Sequence, residues 1–207
     1  MALKDLLYRC PRCGHDPTEG KGDRVRCPAC GCGFSRASSG ARIVVDAAEG
    51  NPKHLPASRL SEAIADRGGP LAAARGDEGA IRYESRVEVR RGEGEETMRH
   101  RGEVWGFFER LGEAEGGLLR ARNDALELES EGAETTRSRW NLLDLRAVQS
   151  SSSSVQIFTA TGELVHFRFL DDSPVRWEAL LHALLQDAYE REGRGRIVEF
   201  QPRIVVR

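Results

Sequence analysis

The residues with the clearest chemistry are cysteines near the N-terminus, and their spacing is typical of metal binding. Cys-Pro-x-Cys-Gly occurs twice, with 13 residues between the last cysteine of the first copy and the first cysteine of the second. In each copy, the two-residue gap brings two sulfurs onto one metal. Proline fixes a backbone angle, and glycine allows a left-handed turn that points amides at the thiolates. Four thiolates leave no coordination position for water, so the sequence predicts one structural Zn²⁺ bound by Cys10, Cys13, Cys27 and Cys30.

Other uses of these cysteines are a redox dithiol and accidental pairing. A redox Cys-x-x-Cys needs a surrounding βαβ pattern, which the sequence lacks. The fifth cysteine, Cys32, follows Cys30 by two residues and could compete as a ligand. Because the glycine after Cys30 fits a metal-binding turn, we expect Cys32 to be a bystander. His15 is expected to face solvent.

Residues 8–34, which hold both motifs, resemble the zinc ribbons found in ribosomal, transcription and many other bacterial proteins. Zinc ribbons bind nucleic acid, bind proteins or hold a chain terminus together, so the resemblance alone does not select a function. Residues 1–36 carry 7 basic and 4 acidic side chains, and a zinc tetrathiolate adds a formal charge of −2, which leaves about +1. Nucleic acid is therefore a possible partner but not the favoured one.

The composition indicates a soluble globular protein, because 39% hydrophobic and 31% charged residues with a mean hydropathy of −0.50 fit neither a disordered nor a membrane chain. No stretch of about 18 apolar residues is present, and Lys4 and Asp5 stand where a signal peptide needs apolar residues. We therefore expect a cytoplasmic location, where thiols stay reduced and paired cysteines more often bind metals than form disulfides.

The length of 207 residues has room for one ordinary domain and a small one. In the middle of the chain, Ile43–Val45 indicate a strand, and Leu60 and Ile64 share one face of a short helix. The Gly- and Ala-rich residues 68–80 indicate a linker. The expected parts are a zinc ribbon at 1–36, a strand, short helix and flexible linker at 37–79, and a larger domain at 80–207.

From residue 81 onward, apolar and polar residues alternate in short runs, which is typical of half-buried antiparallel strands. The alternation is seen at four places: Val87 and Val89, Leu126 and Leu128, Leu143 and Leu145, and Val165, Phe167 and Phe169. The five serines at 150–154 are expected to form a hairpin turn or a polar strand. Further strands are expected around 101–111, 117–122, 134–140 and 154–160, which gives seven or eight in all.

One helix is expected near 174–191, after these strands. Ser173 suits its N-cap and Pro174 its first position. A final strand is expected at 196–200. The fold class is therefore mostly β with one C-terminal helix, an α+β arrangement. The helix has one apolar face that must be buried against the sheet, formed by Trp177, Leu180, Leu181, Leu184 and Ala188.

Antiparallel strands followed by one amphipathic helix with a central tryptophan resemble a pleckstrin-homology-like (PH/GRAM-like) barrel. The stretches Trp140–Val148, Val155–Ile157 and Leu164–Phe169 are similar to the second half of such a domain, and Trp177 is similar in place to the tryptophan that many members carry. The resemblance implies an antiparallel barrel of two sheets with the helix plugging one open end.

Members of this family that bind phosphoinositides carry basic residues on the first hairpin, and Arg91, Arg99 and Arg101 approximate that arrangement. Glutamates lie between them and would repel phosphates, while many other members bind only proteins. No catalytic motif is evident, so we expect a non-catalytic adaptor that recognises another protein. The alternatives are a zinc-ribbon nucleic-acid or transcription-associated factor and an accessory lipid-surface module of a membrane-lipid enzyme.

Overall fold

The computed structural model describes residues 2–38, 42–46, 52–67, 83–131, 136–151 and 153–195. The linker expected at 68–80 and the strand expected at 196–200 lie outside these residues. None of the helices in the described part of the chain is long and apolar enough to cross a membrane.

The N-terminal unit is a five-stranded antiparallel sheet whose strands lie in chain order. The sheet continues past residue 36, because β3 pairs with β4 through Phe34 and Val45. The helix expected at Leu60 and Ile64 is present, and both side chains are buried against the sheet. The elements are α1 (Leu3–Leu6), β1 (Glu19–Lys21), β2 (Arg24–Arg26), β3 (Gly33–Arg36), β4 (Arg42–Asp46), β5 (Lys53–Pro56) and α2 (Ala57–Asp66).

Three cysteines are part of the hydrophobic core of the N-terminal unit. Cys10, Cys27 and Cys32 are buried together with aliphatic and aromatic side chains from α1, α2 and the sheet. A core this small leaves little apolar area to stabilise a fold of this size. A metal ion held by the cysteines would add to the stability of this unit.

In the described residues, the C-terminal unit is an antiparallel sheet of eight strands with one long helix. The alternating pattern predicted most of these strands, but Leu142–Asp144 form a short 3-10 helix, so the strand expected at Leu143 and Leu145 begins only at Leu145. The strands lie in the order β10-β9-β8-β6-β13-β12-β11, and β7 pairs with β6 outside this path. The strands are β6 (Tyr83–His100), β7 (Glu103–Leu111), β8 (Glu115–Ala121), β9 (Ala125–Glu131), β10 (Thr136–Asn141), β11 (Leu145–Ser150), β12 (Ser154–Thr159) and β13 (Leu164–Phe169).

The longest strand, β6, has two different surroundings along its length. Its first part lies between β8 and β13, which pair with it at Tyr83–Val89 and Val87–Arg91 respectively. Beyond Arg91 it pairs with β7 alone among the described strands, in a two-stranded ribbon. We call this ribbon, residues 92–111, the β6–β7 hairpin. At the other end of the unit, Ser150 ends β11 and Ser154 begins β12. Ser151 donates its amide to the Ser154 carbonyl at 2.8 Å, which joins the two strands where a turn or a polar strand was expected.

The helix α3 spans Pro174–Arg191, the range that the sequence predicted. Ser173 caps it by accepting a hydrogen bond from the Arg176 amide at 3.1 Å, which satisfies one free amide of the first turn. The predicted apolar face is buried against the inner face of the sheet, including Val87, Leu126 and Phe167. The helix therefore covers the sheet interior.

Candidate metal centre

Each Cys-Pro-x-Cys-Gly motif folds into the same tight turn, or knuckle. In the first knuckle, Gly14 donates its amide to the Cys10 carbonyl at 2.8 Å, and Cys10 donates its amide to the His15 carbonyl at 2.8 Å. Gly14 has φ = +77°, a conformation that glycine adopts without strain. Burial raises the pKa of the Cys10 thiol, and backbone hydrogen bonds from Cys13 and Arg12 oppose this effect. His15 is exposed, as predicted.

The second knuckle repeats this geometry and gives Cys32 a position in it. Gly31, with φ = +70°, donates its amide to the Cys27 carbonyl at 2.9 Å. Cys27 donates its amide to the Cys32 carbonyl at 2.9 Å, so Cys32 stands where His15 stands in the first knuckle. Its side chain is buried in the core of the N-terminal unit. The Cys32 carbonyl thus closes the turn, while its side chain packs in the core of the N-terminal unit.

The two knuckles bring the four predicted sulfurs into one cluster. Cys10 and Cys30 have their Sγ atoms 3.7 Å apart, and Cys13 and Cys27 have theirs 3.5 Å apart. All four sulfurs lie within 4.8 Å of one another. Tetrahedral bonds of about 2.3 Å to one metal ion place sulfurs about 3.8 Å apart, whereas a disulfide needs about 2.05 Å. The cluster therefore fits one tetrahedral metal ion, which Cys10, Cys13, Cys27 and Cys30 could hold.

Burial and hydrogen bonds shift the pKa values of these thiols in opposite directions. Burial raises the pKa of the Cys10 thiol to about 12 and raises the pKa of Cys27. A hydrogen bond from the His15 backbone lowers the pKa of Cys13 to about 7. Thiolates are the metal-binding form, and buried thiolates need a compensating positive charge. A divalent cation at the centre of the cluster would supply it.

The cysteine cluster is linked to the C-terminal unit through a buried arginine that the sequence analysis missed. Arg176 in α3 donates from Nη2 to the Tyr8 carbonyl at 3.0 Å and also to the Asp16 carboxylate. Its Nη1 lies 3.0 Å from Asp172 Oδ1 and donates to the Tyr83 hydroxyl. One guanidinium therefore joins the loop of the first knuckle to β6 and α3.

Further contacts close this junction around the start of α3. The Ser173 hydroxyl donates to the Asp5 carbonyl in α1. Val175 packs against the core of the N-terminal unit. The Arg176 guanidinium carbon lies 4.9 Å from the centre of the Tyr8 ring, in cation–π range. The two units thus meet through apolar, charged and hydrogen-bonding contacts.

A sequence signal for Arg176 exists in the helical period. Position 176 lies three residues after Ser173 and four before Leu180, so it falls on the buried face that the apolar residues define. Arginine accounts for 28 residues of the chain. Because arginine is so frequent, one arginine on the apolar face of a helix does not stand out in the sequence. Its partners Tyr8 and Asp16 lie more than 150 positions away in the sequence and carry no recognisable motif.

The predicted phosphate-binding arginines do not form one cluster. Arg91 forms an ion pair with Glu163 and donates to the Ser138 hydroxyl at 2.8 Å. Arg99 lies eight residues further along β6, which is about 26 Å of strand, and its Nη1 contacts the Gly102 carbonyl at 3.4 Å. Arg101 occupies the turn after β6, with φ = +51°. The contacts of the Arg91 side chain are therefore with β10 and with the turn between β12 and β13.

The β6–β7 hairpin exposes four large apolar side chains, Met98, Val104, Trp105 and Phe108, which we together call the hairpin surface. Trp105 is 68% exposed, and the other three side chains are between 46% and 49% exposed. Met98 pairs with Gly106 and Glu96 with Phe108, so Met98 and Phe108 share one face. The Trp105 ring lies 4.7 Å from the His100 ring.

No model of a known protein family matches the chain, and no curated protein sequence is significantly similar to it. The four-cysteine cluster, the junction at Arg176 and the hairpin surface are the features from which we infer a function.

Proposed function

We propose that this chain is a non-catalytic adaptor that recognises another protein through the hairpin surface. A structural zinc ion stabilises its N-terminal ribbon, and its C-terminal unit is a PH-like barrel. The observation that carries the proposal is the exposure of Met98, Val104, Trp105 and Phe108 on one hairpin. Several large apolar side chains exposed on one hairpin are typical of an interaction site. Tryptophan is also the residue most often found at the energetic centre of a protein interface.

The proposal of zinc rests on the donor set and its spacing. Four thiolates in a closed tetrahedral arrangement are typical of structural Zn²⁺ sites, and the sulfur separations of 3.5 and 3.7 Å suit that geometry. The proposal of a PH-like barrel is supported by the strand order. Two three-stranded meanders, β8–β10 and β11–β13, meet at the long strand β6.

Protein is favoured over phosphate-bearing partners because of the charge around the hairpin. Glu93, Glu95 and Glu96 are exposed on its β6 strand, and they would repel lipid headgroups or nucleic acid. The hairpin also offers main-chain groups for pairing, because β7 has no second strand neighbour within the described ranges. An isolated two-stranded ribbon is only marginally stable in water, so a partner that covers it would stabilise it.

The test compares two pairs of apolar substitutions in the full-length protein. The double variant Trp105→Ala/Phe108→Ala removes half of the hairpin surface. The control Phe158→Ala/Leu170→Ala removes side chains that are 37% and 50% exposed outside the hairpin. Loss of a tryptophan at the centre of an interface costs about 2 kcal/mol or more, so we expect partner affinity to fall at least about thirtyfold in the hairpin variant.

The measurement is quantitative co-purification, followed by titration of the purified partner against each variant. The control variant should bind like the unmodified protein, and both variants should keep their thermal stability because the replaced side chains are exposed. Equal partner binding by the two variants would contradict the proposal. Binding of single-stranded RNA or of anionic vesicles that depends on the same residues would favour one of the two alternative functions.

A further inference from the structure

The loop that carries the first knuckle contacts the C-terminal unit at Arg176, a residue of neither motif. We propose that Arg176 is a positioning residue for the metal centre, which holds the first knuckle against α3 and thereby strengthens metal binding by Cys10 and Cys13. This inference goes beyond the adaptor function and rests on the proposed metal site.

Arg176 contacts residues that lie before and after the first knuckle in the sequence. Tyr8 lies two residues before Cys10, and Asp16 lies three residues after Cys13. Nη2 of Arg176 donates to both, through the Tyr8 carbonyl and the Asp16 carboxylate. The Thr18 amide closes the same loop by donating to the Tyr8 carbonyl at 3.2 Å. One planar donor group therefore pins the two ends of the loop that presents two of the four sulfurs.

The other half of the guanidinium is anchored in the C-terminal unit. Asp172 accepts from Arg176, and it also accepts from Tyr83 at 2.8 Å, from Ser85 at 2.6 Å and from Trp177 at 2.9 Å. Arg176 is 8% exposed, so its contacts are shielded from water and salt. The anchor is thus fixed by the core of the C-terminal unit and does not depend on the cysteines.

A fixed anchor affects metal binding through conformational entropy. Two sulfurs of one knuckle can bind one ion only when the loop between them is ordered, and ordering the loop opposes binding. Contacts that order the loop in advance remove part of this cost, which is the effect of preorganisation. Because such coupling is reciprocal, metal binding should in turn hold the N-terminal unit more firmly against α3.

The test measures metal affinity in full-length variants, with Co²⁺ absorption as the direct probe and Zn²⁺ competition against a chelator as the second. Arg176→Met keeps the length and apolar stem of the side chain but removes the guanidinium. We expect its dissociation constant for Co²⁺ to rise about 5- to 150-fold, the usual range of coupling between two sites. Arg176→Lys retains the charge without the planar fork and should lie between Met and the unmodified protein.

The matched control is Arg191→Met in the same helix. Arg191 contacts the Asn123 carbonyl at 2.7 Å and Asp187 at 3.2 Å, in the C-terminal unit. Its loss should leave Co²⁺ affinity within about twofold of the unmodified value, since neither contact reaches the cysteine loop. A weakening equal to that of Arg176→Met would mean that any damage to α3 lowers metal affinity, and it would overturn the proposal.

The contact between Arg176 and Asp16 can also be removed from its N-terminal side. Asp16→Asn should also weaken Co²⁺ binding, and it should add little to the effect of Arg176→Met because both changes break one contact. This variant keeps the test decisive if Arg176→Met does not fold. Unchanged Co²⁺ affinity in folded Arg176→Met, or in Asp16→Asn, would overturn the proposal. Failure of the unmodified protein to bind either metal would instead overturn the metal site itself.

Discussion

Replacing Cys27 with serine is expected to abolish stoichiometric metal binding and to unfold the N-terminal unit, while the C-terminal unit stays folded. Cys27 is fully buried and contributes one of the four clustered sulfurs. Serine is a poor ligand for a metal that prefers thiolates, and its hydroxyl would be left in an apolar core. Structural Zn²⁺ contributes on the order of 10 kcal/mol to the folding of small zinc domains. A core as small as that of the N-terminal unit cannot replace this contribution.

The C-terminal unit should survive this change because its core is separate. Its buried cluster extends from Val87 to Ala188 and includes none of the described residues of the N-terminal unit. The Arg176 contacts to Tyr8 and Asp16 would be lost, but α3 would remain packed on the sheet. Limited proteolysis of Cys27→Ser should therefore leave a protected fragment of about 83–195, and elemental analysis should find less than about a tenth of the metal in the unmodified protein.

Cys32→Ala provides the matched control for this experiment. Cys32 is as buried as Cys27, but its sulfur lies outside the four-sulfur cluster. Its replacement should cost about 1 kcal/mol through lost packing and should leave about one metal ion per chain. If Cys32→Ala lost the metal as completely as Cys27→Ser, or if Cys27→Ser kept it, the assignment of the four ligands would be wrong.

The elements that the sequence predicted well are those specified by neighbouring residues. The bounds of α3 follow from Ser173, Pro174 and the 3.6-residue period of the apolar face. The knuckles follow from the two-residue cysteine gap and the glycine after each pair. Such signals involve residues that are close together in the sequence, so they can be recognised without knowing the tertiary structure.

Features that depend on distant residues escaped prediction. The alternation of Val87 and Val89 ends before Gly92, where glycines and glutamates begin, so no apolar pattern marks the rest of β6. Pairing with β7 extends the strand to His100. Arg176 escaped for a related reason: an arginine in the first turn of a helix normally faces water. Its burial requires acceptors at Tyr8 and Asp16, which only the folded chain brings near it.

Replacing Trp177 with alanine is expected to destabilise the C-terminal unit by about 3–5 kcal/mol, because it removes the largest fully buried side chain of the core. The indole stacks on Phe169 with ring centres 5.2 Å apart and lies 5.5 Å from the centre of Tyr83. Its Nε1 donates to Ser85 and to Asp172, both at 2.9 Å. Alanine would leave a cavity and deprive two buried acceptors of a donor.

Two further substitutions separate these contributions. Trp177→Phe keeps most of the ring packing and loses the donor, so it should cost less, about 1–2 kcal/mol. Trp105→Ala removes the same atoms from an exposed site and should change stability by less than about 0.5 kcal/mol. Urea unfolding should be followed by far-ultraviolet circular dichroism, since fluorescence changes whenever a tryptophan is removed. If Trp177→Ala lowered the free energy of unfolding by less than about 1 kcal/mol, the packing of α3 against the inner face of the sheet would be contradicted. Because the indole of Trp177 is buried, the loss of stability should be largest in Trp177→Ala, intermediate in Trp177→Phe and smallest in Trp105→Ala.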